Sequence, residues 1–513
     1  MYLNNKILVG KSDDTELAIL LNKANRHGLI TGASGSGKTI TLKVMAESFS
    51  DANVPVFLAD VKGDLAGCAE VGEANDNVTS RIEKLKLEGF DFKSYPVRFW
   101  DLYGKYGHPI RTKISSVGPE ILSIMLGLSE AQEGVLAICF KIAKDEELEL
   151  IDLKDLRSAL QYIGDNRKNY VTKYGNITTQ SIGVIQRSLL TLENQGADNF
   201  FGEPSLDIHD FVKNDSDGRG FINILHAVEL FNSPDLYASF LLWLLTELFN
   251  TMPEVGDLDK PKLVFFFDEA HLLFNGMPQY RLKQIVQVVK LIRSRGIGLY
   301  FVSQSPTDVP DEVLGQLGNR VQHTLRAYTP SELKTIKVAA DSFRSNPKFD
   351  TEEAIRNLGT GEALISFQNE KGEPEIVEKA TILPPQSKMG TINDMVRNKI
   401  INNSELAGKY DEAIDNESAH EKVTRKYEEE QRIREEEEQK KLEEKEAKEA
   451  ERVRLAEEKQ AAKEQRDLEK AEKEAERARK NSVPYKLGKK VANKAVDKAI
   501  NKGLNTIFKS LFK

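Results

Sequence analysis

Residues 28–39 read GLITGASGSGKT and continue into ITLKVMAESFS over residues 40–50. Four strand-forming residues lead into a six-residue turn holding three glycines and two serines, and a helical pattern follows. Gly32 and Gly37, separated by four residues and followed at once by Lys38 and Thr39, have the spacing of a phosphate-cradling loop between a strand and a helix. Glycines let the backbone curl until successive N–H groups face the same oxygens, and the following helix adds its positive end. Lys38 has the reach for β- and γ-phosphates, and Thr39 offers a hydroxyl to Mg2+. Gly32, Ala33, Ser34, Gly35, Ser36, Gly37, Lys38 and Thr39 are therefore assigned to nucleotide binding, with ATP and Mg2+ as the implied cofactors.

A second segment supplies the chemistry that such a loop lacks. Residues 262–269 read KLVFFFDE, a buried-type apolar strand ending in two carboxylates. Asp268 is expected to hold Mg2+ through its water shell, and Glu269 to polarise the attacking water. His271 completes an Asp-Glu-Ala-His string and reads as packing or polar support. The strand-like run GLYFVSQ over residues 298–304 ends in Gln304, placed to sense hydrolysis if this strand lies between the loop strand and the carboxylate strand. Arg320 and Arg326 flank an expected strand over residues 321–326. Either could stabilise phosphoryl-transfer charge on a neighbouring subunit, and Arg326 is preferred because C-terminal strand ends face the ligand crevice. The sequence Asp60-Val-Lys62-Gly63-Asp64 reads either as support for the metal site and a signal to a neighbour or as a charged turn.

The 513 residues are too many for one ordinary domain. Apolar runs at 28–31, 54–60, 97–101, 221–225, 263–267, 298–303 and 321–326, with a closing hairpin over 362–367 and 375–381, alternate with helical patterns. They predict an α/β fold with a mostly parallel buried sheet. Residues 1–117 and 205–390 form the two parts of the core, and 118–204 form a helical insertion. Residues 391–480 form a linker and a charged helix, and 483–513 a basic amphipathic helix.

Over residues 421–480 two thirds of the side chains are charged, without Gly or Pro. Opposite charges recur three and four apart while the apolar residues keep no seven-residue spacing. That favours a single extended helix over a coiled coil. Residues 421–480 carry −2, residues 481–513 carry +7 and the whole chain −8, so residues 1–420 carry −13. An acidic body argues against a broad static DNA-binding face and leaves a narrow basic channel in an assembly open. The lysine-rich end suits an anionic membrane, nucleic acid, or a protein surface. Two cysteines, no signal-peptide pattern and no apolar run near membrane-spanning length point to a soluble cytoplasmic protein, peripheral to the membrane at most.

Five stretches together resemble the HerA–FtsK group of loop ATPases, and more narrowly its bacterial HerA-like, YjgR-type branch. They are NRHGLITGASGSGKT (25–39), PVFLADVKGDLAG (55–67), VFFFDEAHLLF (264–274), GLYFVSQSPTDVP (298–310) and LGQLGNRVQHTLRAYTP (314–330). The resemblance covers roughly residues 1–390. It implies an additional-strand catalytic-Glu fold, a homo-hexameric ring with ATP between subunits, and DNA translocase or helicase activity. Carried over, Gly32 to Thr39, Asp268, Glu269 and Gln304 keep the roles above, and Arg326 or Arg320 is the trans-acting arginine. No counterpart is identified of the N-terminal barrel of archaeal HerA or of the DNA-orienting tail of FtsK. The competing expectation is a nucleotide-switched scaffold or protein-moving ATPase, tethered to a membrane or partner by residues 483–513.

Overall fold

The computed structural model describes residues 1–481 apart from residues 14, 257 and 275–278, so the basic helix expected over 483–513 lies outside the described residues. Among the described residues thirteen strands form one sheet: β1 (Tyr2–Leu3), β2 (Lys6–Ser12), β3 (Thr15–Leu20), β4 (Gly28–Thr31), β5 (Val56–Asp60), β6 (Val97–Asp101), β7 (His108–Pro109), β8 (Ile222–His226), β9 (Leu263–Phe267), β10 (Ile297–Ser303), β11 (Asn319–Gln322), β12 (Glu362–Ser366) and β13 (Glu378–Ile382). Their order is β1-β2-β13-β12-β11-β4-β10-β9-β5-β8-β6-β7, with β3 also paired to β2. From β11 to β7 every pairing is parallel, and from β12 to β1 every pairing is antiparallel. The parallel strands are near-continuous apolar runs because both faces are covered. Every residue of β5, β9 and β10 is buried.

One covering element is α1 (Lys38–Asp51), whose Phe49 ring lies 6.4 Å from Phe266 and 6.0 Å from Tyr300. Elsewhere in the core Phe57 stacks on Phe265 at 4.4 Å and meets Phe211 edge-on at 4.9 Å. β10 runs between β4 and β9, with Ser303 level with Thr31 and Phe301 level with Phe267. Close pairing requires glycine at position 28, where a Cβ would stand 2.4 Å from the Tyr300 ring. Thr31, Ser303, Phe267 and Asp60 are consequently the last residues of four adjacent parallel strands that leave the sheet at one edge.

Two expectations need correction here. The strand predicted over 321–326 ends at Gln322, because the chain beyond it turns to serve the glycine loop: Ala33 donates its N–H to the Thr324 carbonyl at 2.8 Å. Arg326 therefore does not end a strand. The β2–β3 hairpin, unassigned from sequence, continues the sheet beyond β13.

Between β7 and β8 the chain forms α2 (Ile114–Met125), α3 (Glu130–Asp145), α4 (Leu153–Asp165), α5 (Arg167–Tyr174) and α6 (Thr179–Asn194). Residues Met1–Arg425 make one compact unit, and Lys426–Lys513 a second. Much of the expected linker after residue 390 is packed structure. In the helix Asp394–Asn402, Arg397 lies 4.5 Å over the Phe99 ring. Buried Arg98 pairs with Glu405, and the Tyr410 hydroxyl donates to Asp210 Oδ2 at 2.6 Å. The long helix runs Ala419–Asn481, and its first turn belongs to the body: Ala419 and Val423 are buried, and His420 donates its N–H to Asp155 Oδ1 at 2.9 Å. Within the second unit, i,i+4 pairs such as Arg434–Glu430 at 3.6 Å and Lys441–Glu437 at 3.9 Å join exposed side chains, a class of contact that contributes little singly. No helix among the described residues is long and apolar enough to cross a membrane.

Truncation separates the two units. A chain ending at residue 425 should keep the melting temperature of the body. One ending at residue 390 uncovers Arg98, Phe99 and Asp210 and should melt several degrees lower, at roughly 2–4 °C per kcal/mol lost. Calorimetric scans of both chains check this.

Candidate nucleotide site

The glycine loop departs from β4 under two constraints. Gly32 has φ 154° and Gly37 φ 116°, a region costly for any side chain. A Cβ at Gly32 would also stand 2.5 Å from the His323 Cβ. His323, fully buried just after β11, ties the loop and α1 to the sheet. Its Nδ1 lies 3.0 Å from the Glu362 carbonyl, which can only accept, and its Nε2 lies 2.9 Å from the Thr41 hydroxyl. Burial pulls its pKa down to about 4, so the ring is neutral and Nε2 accepts from Thr41. The Gly361 N–H donates to the Ser36 carbonyl at 3.1 Å. Sequence reading missed His323, which looked like one more residue of an apolar strand.

Lys38 is buried at the first position of α1 and donates to the Gly32 and Ala33 carbonyls at 2.6 and 3.1 Å. Burial, followed by Lys62, lowers its pKa, against Glu269, Asp268 and Asp308. The buried Ser36 hydroxyl has no hydrogen-bond partner. Ala33 and Thr39 are half-buried, while Ser34 and Gly35 are exposed.

Two strands away, Asp268 and Glu269 leave β9, both buried. Burial pushes Asp268 up to about 7, with Lys62 opposing and Glu269 adding. Its carbonyl accepts from the Tyr237 hydroxyl at 3.1 Å, and its Oδ1 from the Glu269 N–H at 2.9 Å. Glu269 itself has φ 50°. Such strain persists where the surroundings over-determine the backbone: Ala270 donates to the Val302 carbonyl and Leu272 to the Glu269 carbonyl, each at 2.9 Å. Glu269 Oε1 lies 3.0 Å from Lys62 Nζ, and Oε2 3.4 Å from His271 Nδ1.

The remaining expected residues divide. Gln304 is exposed at the end of β10, in a turn held by Asp308, which accepts from the Ser303 hydroxyl at 2.5 Å and the Ser305 N–H at 2.9 Å. Arg320 is turned inward, its guanidinium donating to the carbonyls of Leu317, Leu314 and Ser342 at 3.1, 3.1 and 3.0 Å. Arg326 is exposed in the irregular segment after β11. The fold thus gathers the loop, Asp268 and Glu269 at one sheet edge, adds Lys62, and commits Arg320 to its own backbone. The donors available to Mg2+ (Thr39, Asp268, Glu269) are all oxygens, as a hard cation requires, and the buried acid pair invites positive charge. These residues fit the ion.

A parallel sheet with a glycine loop after one strand, an acid pair after the next but one, and a strand between them defines a loop ATPase of the additional-strand class. The chain belongs to the Helicase HerA-like C-terminal family, whose model matches residues 5–508. It is 24% identical over 377 residues to the DNA double-strand break repair helicase HerA of Sulfurisphaera tokodaii, covering 71% of this chain and 67% of that protein. It is 23% identical over 372 residues to the protein of the same description from Saccharolobus solfataricus, covering 70% and 64%. The chain thus spans about two thirds of these relatives' length. Among solved structures it is similar to VirB4 of Thermoanaerobacter pseudethanolicus, at 15% identity and TM-score 0.47, covering 75% of this chain and 97% of that one. It is also similar to the bacterial conjugative coupling protein TrwBdeltaN70, at 13% and 0.46, covering 73% and 89%.

Two outcomes follow from this geometry. Gly32→Ala should dislocate the loop against His323 and lower ATP affinity by at least about tenfold, a cost of ~1.4 kcal/mol, measured by calorimetry. Asp60, raised to about 6 by burial and by Asp64, and Asp268, raised to about 7, both hold protons more tightly folded than unfolded. Their contribution is whole below 3.8 and is lost as pH rises through about 6 and 7. Thermal melts of the nucleotide-free protein should fall across that window, and Asp268→Asn should flatten its upper part.

Proposed function

We propose that this chain is the subunit of an ATP-hydrolysing ring motor, six subunits in number, that moves along or unwinds DNA. The observation that carries the reading is the placement of Glu269, strained and over-determined, two strands from the glycine loop on the same sheet edge. Loop amides and Lys38 hold the β- and γ-phosphates, while Thr39 and Asp268 hold Mg2+. Bound there, the ion would supply positive charge to the phosphate oxygens. Glu269 orients a water and takes its proton as the water oxygen bonds to the γ-phosphorus and the bridging oxygen leaves with ADP. Gln304, one residue beyond the strand between these groups, senses the change.

Arg326 serves as the trans-acting arginine, because Arg320 is spent on three carbonyls of its own chain while Arg326 is exposed. DNA as the substrate is supported by family membership and by the relatives' description as DNA repair helicases. The acidic body confines contact with DNA to a narrow channel in the ring.

ATPase assays with and without duplex DNA test the reading. DNA should raise turnover and Lys38→Ala should abolish both rates; stimulation by liposomes or a protein instead would favour a tethered scaffold. Glu269→Gln should keep nucleotide binding and slow turnover by about 100-fold or more. Arg326→Ala should cut turnover by about 1,000-fold, whereas Arg320→Ala should chiefly lower the melting temperature.

A further inference from the structure

Lys62 stands in the turn after β5, and the hydrolysis scheme above gives it no part. The turn is rigid: Asp60 Oδ1 accepts the N–H groups of Gly63 and Asp64 at 2.7 and 3.1 Å, and Oδ2 that of Leu65 at 3.1 Å. From this base the ammonium reaches Glu269 Oε1 at 3.0 Å, with a side chain 48% exposed against 8% for its partner. Its charge is also felt by Asp268 and by Lys38. Glu269 cannot retreat by a backbone adjustment, because its left-handed conformation is fixed through Ala270 and Val302. Its other oxygen, Oε2, is buried without a hydrogen bond.

An ammonium so placed has two effects. It gives two adjacent buried carboxylates the positive charge that a divalent cation would otherwise supply, and it occupies an oxygen that Glu269 needs for water. A divalent ion at Asp268 and an ammonium on Glu269 repel one another in a partly desolvated site. Of the two, Lys62 is the one free to leave, since its stem is half-exposed and Asp64 lies nearby as an alternative partner.

We propose that Lys62 is a positioning residue that caps Glu269 as a stand-in cation, and that a divalent metal ion arriving at Asp268 displaces it and frees Glu269 for the attacking water. The inference rests on the ATPase reading and adds a restraint to it: the general base is uncapped only in a loaded site. Lys62 thereby joins the turn after β5 to the state of the nucleotide.

The test is Mn2+ titration by calorimetry into the full-length protein without nucleotide, using wild type, Lys62→Met and Lys62→Arg. Losing one charge within a few ångströms should tighten Mn2+ binding by about fivefold or more in Lys62→Met, while Lys62→Arg should match wild type. In a Glu269→Gln background the same substitution should give a smaller shift, since coupled neighbours are non-additive. The Mg2+ dependence of fluorescent ATP-analogue binding should move in the same direction. Thermal melts verify that each variant is folded. Mn2+ binding in Lys62→Met that equals or falls below wild type overturns the proposal, as does Lys62→Arg behaving like Lys62→Met. Failure of the wild type to bind ATP at all would sink the nucleotide-site reading instead, and the Mn2+ titration would still decide the role of Lys62.

Discussion

The position of β10 between β4 and β9 is the constraint on which the site depends. Neighbouring strands lie about 4.8 Å apart, so one intervening strand sets the acid pair ~10 Å from the strand that launches the loop. Direct pairing of β4 with β9 would halve that distance and draw Glu269 toward the loop. The spacing is held by ordinary sheet chemistry. Parallel ladders run on both sides of β10, aromatic rings of Phe266, Tyr300 and Phe49 lock it to α1, and a glycine at position 28 admits the Tyr300 ring.

Rigidity then passes from the sheet to its edge. Residues leaving four parallel strands are each fixed by a short-range staple: His323 under the glycine loop, Asp308 after Gln304, the Ala270 N–H after Glu269, and Asp60 under the turn that carries Lys62. Three of these staples are buried or half-buried polar groups whose hydrogen-bond demand is met by backbone groups and, for His323 and Asp308, by the hydroxyls of Thr41 and Ser303 as well. The carboxyl of Asp268 is the exception, pushed up to about 7 by burial and relieved chiefly by Lys62. A site with that electrostatic imbalance favours a cation, and a divalent metal ion at Asp268 would supply that charge.

What could be read beforehand followed from locality. The glycine loop, the two acids and the parallel strands announce themselves because each lies within one contiguous run, and the apolar runs of β5, β9 and β10 are long enough to distinguish them from half-exposed strands. What could not be read was pairing at a distance. Arg320 looked as free as Arg326 until three carbonyls, one of them 22 residues away, claimed its guanidinium. The segment after residue 390 looked like a linker because its partners, Arg98, Phe99, Asp155 and Asp210, lie hundreds of residues upstream. The sequence Asp60-Val-Lys62-Gly63-Asp64 left two meanings open for the same reason: only the β5–β9 pairing brings Lys62 to Glu269.

That pairing also bears on how a motor of this kind would avoid futile turnover. If Glu269 is the general base proposed above, its strained backbone keeps it in place whether or not nucleotide is present, since the sheet alone determines its position. Restraint has to come from the side chain's partners. Among those in contact with its carboxylate, His271 reaches Oε2 at 3.4 Å from the same strand-end segment and so reports nothing about a neighbouring element. Lys62 arrives from a different strand, on a turn braced by Asp60, and answers to the charge at Asp268. With Lys62 as the proposed cap, the two requirements separate: backbone geometry keeps the acid in place, and a half-exposed cation from the adjacent strand governs when it is free to act.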